Sequence, residues 1–159
     1  MYKKNFEVRW SDIDANKHLG NSSYVDYISN TRMSFFTERG LDLHELNRLG
    51  LGPVVFYEHI YYFKEILLGD VITVSLEVSG YSEDGRFIMF EHNFYNGKGE
   101  NIAYCEMQGG WIDLKLRRLT PLPDSLIHLT DQFPKSKNFK VLTKEDTRKH
   151  GIRPKPLET

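Results

Sequence analysis

Cysteine is almost missing: Cys105 stands alone among 159 residues. No disulfide can therefore form within the chain, and stability must come from a packed core. Charge of one sign is missing too. The chain has 21 Lys and Arg against 22 Asp and Glu, a net charge of -1, so it lacks the bulk basicity of a nucleic-acid binder or of a protein drawn to anionic membranes. No apolar run approaches the roughly 20 residues of a membrane span. The opening "MYKKNFEVRW" enters a strand-like alternation without the apolar stretch of a signal peptide. These absences predict a soluble cytoplasmic protein.

Several chemical signatures are absent as well. No Gly-rich phosphate loop occurs, and no G-x-S-x-G elbow presents a serine nucleophile. The histidines at 18, 44, 59, 92, 128 and 150 show no zinc-ligand spacing. Asp12, Asp14 and Asn16 occupy the first, third and fifth positions of a calcium loop. Lys17 then stands where the sharp turn requires Gly, and Ser23 where the bidentate Glu belongs, so no calcium site is expected. Neither a metal nor a cofactor is predicted.

What is present is 40% hydrophobic and 13% aromatic residues, enough for one domain with a real core, in a size range that favours oligomers. "NFEVRW" alternates Phe6, Val8 and Trp10 against polar residues, the period of a half-buried strand. From Ser22 to Arg39, Tyr24, Tyr27, Ile28, Thr31, Phe35 and Phe36 recur at helical spacings, and Gly40 supplies a stop. Strands are then predicted at residues 54–63, 71–79 and 86–96. In the second, Ile72, Val74, Leu76 and Val78 share one face; in the third, Ile88, Phe90, His92 and Phe94 do. The strand after Ile102 changes phase at Gly109-Gly110, which predicts a bulge or bend there. Residues 121–159 open with prolines, hold a candidate short helix around Asp124 to Gln132, and end in basic residues among prolines. They read as a surface-draped or partly disordered extension; the other reading has their basic residues contact the phosphates of a nucleotide-bearing substrate.

An apolar helix followed by antiparallel strands requires the sheet to wrap the helix. In this the chain resembles the α+β hotdog fold, an antiparallel sheet wrapped around a long central helix, over about residues 3–120. The polar stretch "WSDIDANKHLGNSSY" between the first strand and the helix carries a more specific resemblance. Asp12, Asp14, Asn16, His18, Asn21 and Tyr24 match the form D-x-D-x-N-x-H-x-x-N-x-x-Y of hotdog acyl-carrier-protein thioesterases, related to the 4-hydroxybenzoyl-CoA thioesterase family.

The resemblance implies an acyl-CoA or acyl-carrier-protein thioester hydrolase. Asp14 would be base or nucleophile, with Asn16 and His18 orienting the water or the thioester. Backbone amides from Gly20 through Asn21 to Ser22, at the positive end of the helix dipole, would hold the developing oxyanion, and Tyr24 would contact substrate. Asp12 reads as structural. Glu58 and His59 are candidates for facing the site, with parity leaving that open. Plant-type relatives carry two hotdog units and further catalytic positions, whereas this chain has length for one. A homodimer or dimer of dimers, pairing exposed sheet edges, is therefore expected. The alternative reading is a non-catalytic acyl-thioester sensor of the same fold.

Overall fold

The computed structural model describes residues 1–157. Strand β1 (Tyr2–Glu7) is followed by a 3-10 turn at Trp10–Asp12, helix α1 (Asn21–Thr37) and helix α2 (Leu43–Arg48). Strands β2 (Leu51–Tyr62), β3 (Val71–Tyr81), β4 (Phe87–Tyr95), β5 (Asn101–Asp113) and β6 (Arg118–Leu119) come next. The chain then forms helix α3 (Asp124–Ile127), a 3-10 segment at His128–Gln132, and strand β7 (Lys135–Val141). The main path of the sheet runs β1-β3-β4-β5-β2 and is antiparallel throughout.

Helix α1 buries Tyr24, Tyr27, Ile28, Thr31, Phe35 and Phe36 on the face set by their three- and four-residue spacing. Rings from four strands meet that face. Phe6 of β1 stacks on Tyr27, and Tyr62 of β2 and Phe94 of β4 contact Tyr24. Trp111 of β5 meets Phe36. A single helix reaches both ends of the sheet only if the sheet curls over it, so the architecture is a curled antiparallel sheet with few helices, consistent with the hotdog fold. Beyond Thr37 the chain turns at Gly40, whose φ of +80° suits glycine.

The expected inward rows of β3 and β4 are buried: Ile72, Val74, Leu76 and Val78 on β3, and Ile88, Phe90, His92 and Phe94 on β4. Their pairing sets Val74 against Phe94 and Val78 against Phe90. His92 is fully buried, and its Nδ1 donates to the Ser75 carbonyl at 2.9 Å. Burial, followed by the nearby Arg32 guanidinium, pushes its pKa down to about 3, which keeps the ring neutral.

Two local expectations are corrected. Trp10 is 79% exposed, because β1 ends at Glu7 and the chain enters a 3-10 turn held by Asp12. The phase change at Gly109-Gly110 does not occur: β5 is one strand, and Trp111 continues the buried row of Ala103, Cys105 and Met107. The bulge lies opposite, on β2 between Val55 and Tyr57. A Cβ on Gly109 would come within 2.3 Å of the Val54 carbonyl oxygen. The glycine thus admits the close approach of the bulged strand rather than bending its own.

The segment after residue 120 is more ordered than a draped tail. β7 pairs in parallel with the end of β3, from Val78 to Tyr81, beyond the stretch of β3 that β1 occupies. Leu142 is then buried against Phe87 and Met89. Of the extension read from sequence, residues 158 and 159 lie outside the described residues. Among the described residues, no helix is long and apolar enough to cross a membrane.

Candidate active site at the start of helix α1

The loop from Arg9 to Gly20 is folded by its own polar side chains. Asp12 is buried and accepts five bonds at its carboxylate: the Arg9 amide at 3.0 Å, the Arg9 guanidinium twice at 3.1 Å, the Ser11 hydroxyl at 3.4 Å and the Tyr27 hydroxyl at 2.6 Å. The Arg9 hydrogen bond, with support from Tyr27, holds its pKa down at about 2. The Asp12 carbonyl also takes the Gly20 amide at 2.8 Å and the Ser23 hydroxyl at 3.1 Å. Every acceptor of Asp12 is committed to structure. It fixes the loop onto α1, as expected, although through the Arg9 and Tyr27 side chains as much as through the backbone.

Asp14, two residues on, is exposed. Its Oδ1 accepts the amides of Asn16 at 2.8 Å and His18 at 3.3 Å, an Asx-type turn that leaves Lys17 at a φ of +65°. Among the described residues, Oδ2 has no hydrogen-bond partner. One oxygen therefore orients the carboxylate while the other stays free.

Helix α1 is capped by Gly20 without any side-chain cap. The Gly20 amide is consumed by Asp12, so it drops out of the expected set of open donors; the Ser23 amide closes back on the Gly20 carbonyl at 3.0 Å. The amides of Asn21 and Ser22 find no acceptor among the described residues. They lie at the positive end of a 17-residue helix, where backbone N–H groups favour an anionic oxygen.

These features meet in one cavity of about 400 Å³, lined by Asp14, His18, Leu19, Asn21 and Tyr24 from the loop and helix, by Tyr62 at the end of β2, and by Phe63, Lys64 and Glu65 just after it. The free carboxylate and the helix start share the same hollow. Tyr24 is buried beneath it, and burial, then Tyr62, then the Asp14 charge push its phenol up to about 12. Tyr24 is thus a neutral wall. His18 closes the rim through Nε2, 2.9 Å from Glu65 Oε2.

Not every candidate enters the cavity. The Asn16 side chain is exposed and lies outside the lining; its contribution is the amide that holds Asp14. Ser22 is exposed and lies outside the lining altogether. Glu58 turns inward to pair with Arg32 of α1 at 3.2 Å. His59 lies on the opposite face of β2, its ring 4.1 Å from that of His150. The pattern of residues 54–63 predicts an aromatic strand and carries no sign that Tyr62 to Glu65 wall this cavity. Among the described residues, no cluster of His, Cys, Asp and Glu suited to a metal ion occurs.

The model of the thioesterase-like superfamily matches residues 8–129, most of the chain, including the loop and the whole wall of the cavity. The chain belongs to that superfamily. Its thioesterase-like fold recurs in solved structures. One is a hypothetical protein from Staphylococcus aureus in complex with CoA, 25% identical, covering 97% of this chain and 95% of the other at a TM-score of 0.77. A gentisyl-coenzyme A thioesterase is 21% identical, with 78% and 98% covered and a TM-score of 0.70. A 1,4-dihydroxy-2-naphthoyl-CoA thioesterase from Synechocystis is 15% identical, with 84% and 98% covered and a TM-score of 0.72. No curated protein matches the sequence significantly. Within this superfamily, thioester hydrolysis is the broad activity that the fold and the loop support.

Proposed function

We propose that this chain hydrolyses acyl-CoA thioesters, with acyl-carrier-protein thioesters as the close variant, using Asp14 opposite the open amides of α1. The observation that carries the reading is the shared cavity: an oriented carboxylate with one free oxygen lines the same hollow as Asn21, the first residue of α1, whose amide lacks an acceptor among the described residues. A thioester carbonyl placed between them has its oxygen at the Asn21 and Ser22 amides and its carbon within reach of Asp14 or of a water beside it.

Two routes fit this arrangement. In the first, Asp14 Oδ2 takes a proton from water as the water oxygen bonds to the carbonyl carbon. In the second, Oδ2 itself bonds to that carbon and gives a mixed anhydride that water then cleaves. Either way the carbonyl electron pair moves onto oxygen, where the two amides receive it, and collapse of the tetrahedral species breaks the C–S bond and expels the thiolate. CoA as the carrier is supported by the Staphylococcus aureus neighbour solved with that molecule.

A homodimer completes the picture. The outer edge of β2 has no strand partner among the described residues, and Val55, Tyr61, Tyr62 and Phe63 along and beyond it are about half exposed. If two β2 edges pair antiparallel, Tyr62 of one chain approaches the Val54 region of the other. Beneath that region lies a mostly apolar cavity of about 210 Å³, bounded by Met33, Phe36, Val54, Phe90, Met107 and Trp111. The dimer thus sets an acyl chamber of one chain beside Asp14 of the other.

Release of thiol from a panel of short, long and aromatic acyl-CoAs tests the function. Asp14→Ala is expected to lower kcat by about a thousandfold, within the usual range for a lost general base or nucleophile, with little change in thermal stability because the side chain is exposed. Full turnover by that variant would remove Asp14 from the mechanism. Thermal stabilisation by acyl-CoA without thiol release would identify a sensor. Single turnover in ¹⁸O-water identifies the anhydride route if label enters Asp14, the outcome when water attacks the Asp14 carboxyl carbon of the anhydride; the general-base route leaves Asp14 unlabelled.

A further inference from the structure

A second large cavity lies away from Asp14, and the C-terminal segment beyond the residues that match the superfamily model forms one side of it. It encloses about 1000 Å³ between the β2 bulge at Phe56, Arg86 and Phe87 at the start of β4, and a one-turn 3-10 segment carrying Lys144, Glu145 and Arg148, with Arg153 following. Four cations and one carboxylate thus surround a hollow with two aromatic walls. That volume is at the upper end of the range for small-molecule sites.

A solvated run of charge does not account for this arrangement. The neighbouring cations are neutralised: Lys140 pairs with Asp146, and Lys149 with Glu106 at 2.6 Å. Arg86 pairs with Asp84 at the rim. Lys144, Arg148 and Arg153, the three cations that line the hollow from the C-terminal side, have no carboxylate partner among the described residues. The segment is also pinned in place. Leu142 is buried and its amide donates to the Tyr81 carbonyl at 2.9 Å, Thr143 and Asp146 form a capping box, and His150 packs on His59 and Tyr57. The segment that carries these exposed, unpaired charges is therefore fixed beside the concavity.

Resting on the hydrolase reading, we propose that this cavity binds the phosphorylated nucleotide end of the CoA thioester, with Lys144, Arg148 and Arg153 taking its phosphates. Lysine and arginine supply charge-assisted donors to phosphate oxygens, and arginine does so in a planar fork. Phe56 and Phe87, 6.1 Å apart and edge to face, offer an apolar wall for the base. The separation of the two sites suits a ligand with a long arm. Phe56 borders this cavity on the outer face of the sheet and Tyr62 borders that of Asp14 on the face toward α1, so a ligand reaching both passes around the end of β2, and the strand between them spans about 20 Å at the usual rise. An extended pantetheine arm joins a thioester to a nucleotide over a stretch of that order.

The test combines calorimetric titration with adenosine 3′,5′-bisphosphate and steady-state turnover of one acyl group carried on CoA or on pantetheine. In the Lys144→Ala/Arg148→Ala/Arg153→Ala variant, Kd for the bisphosphate is expected to rise at least tenfold. The ratio of kcat/KM for acyl-CoA to that for acyl-pantetheine is expected to fall by a similar factor, whereas Lys98→Ala, in the β4–β5 turn, changes neither. The substituted residues are exposed, so folding is retained, and Arg148→Lys is expected to keep most of the binding. An unchanged Kd and ratio in the triple variant would overturn the proposal, as would inorganic phosphate binding as tightly as the bisphosphate. Bisphosphate binding that depends on these residues in a protein that cleaves no thioester would keep the site and reject the hydrolase. Turnover without any bisphosphate binding would do the reverse.

Discussion

Two polar clusters flank helix α1, one at its start and one under its middle, and they differ in what they leave unused. Under the middle, Arg32 is buried, pairs with Glu58 at 3.2 Å and reaches Ser29 at 3.1 Å. His92 is sealed beside this pair, and burial pushes the Cys105 thiol up to about 12. At the helix start, Asp12 is similarly consumed, but Asp14 keeps one oxygen and the helix keeps two amides. Unused hydrogen-bonding capacity is therefore found where partners run out beside a cavity, and residue type does not reveal it. Asp12 and Asp14 are the same residue two positions apart; the difference in their partners separates their roles.

The contrast can be broken from the core side first. Glu58→Ala leaves the Arg32 charge buried without its partner, so a loss of about 3 kcal/mol is expected in denaturant unfolding. Replacing both members by apolar residues, Arg32→Met with Glu58→Leu, should recover much of that loss; failure to recover would mean that the pair does more than satisfy itself.

From the other side, Asn21→Pro removes one open amide at the first helical position. Proline is tolerated there, and Gly20 already has the extended conformation that precedes it, with φ -61° and ψ 143°. Helicity by circular dichroism should be retained while kcat falls about a hundredfold, the usual cost of one oxyanion donor. Asn21→Ala, which keeps the amide, should stay near wild type; equal losses in the two variants would assign the effect to the side chain.

The smallest expected effect sharpens the sealed character of the core. The His92 pKa of about 3 in the folded state lies below its unfolded value of 6.5. Below pH 6.5 the unfolded chain therefore binds a proton that the native state refuses. The stability contributed by the neutral ring is present above that pH and is lost as pH falls from 6.5 toward 3. Between pH 7 and 5 this amounts to about 2 kcal/mol, at 1.36 kcal/mol per unit. Unfolding measured at both values should show this loss in the wild type and a smaller one in His92→Gln.

Much of this molecule was readable one residue at a time. The inward rows of β3 and β4, the apolar face of α1 and the stop at Gly40 follow from periodicity and turn chemistry, because each is set by neighbours within a few residues. The loop motif was readable for the same reason. The failures share a cause as well. Trp10 fits a strand alternation, but the bonds from Asp12 to Arg9 draw the backbone into a turn first. The spacing at Gly109-Gly110 predicts a bend in its own strand, whereas the extra residue belongs to β2, which pairs with β5 from about a third of the chain away. Helix α2, with Asp42 as its cap, was passed over because six residues show too little periodicity.

By itself, the sequence determined the composition of the core, the alternation of its strands, and a polar loop placed before an apolar helix. All of these depend on local spacing and on the removal of apolar side chains from water. Only the tertiary structure decided that Asp12 is spent and Asp14 is not, and that Tyr62 to Glu65 face the helix start. It alone gathered Lys144, Arg148 and Arg153 around a hollow lined by Phe56 and Phe87. Those outcomes depend on which distant groups satisfy one another when the sheet closes, and no local pattern records which oxygen, amide or cation is left without a partner.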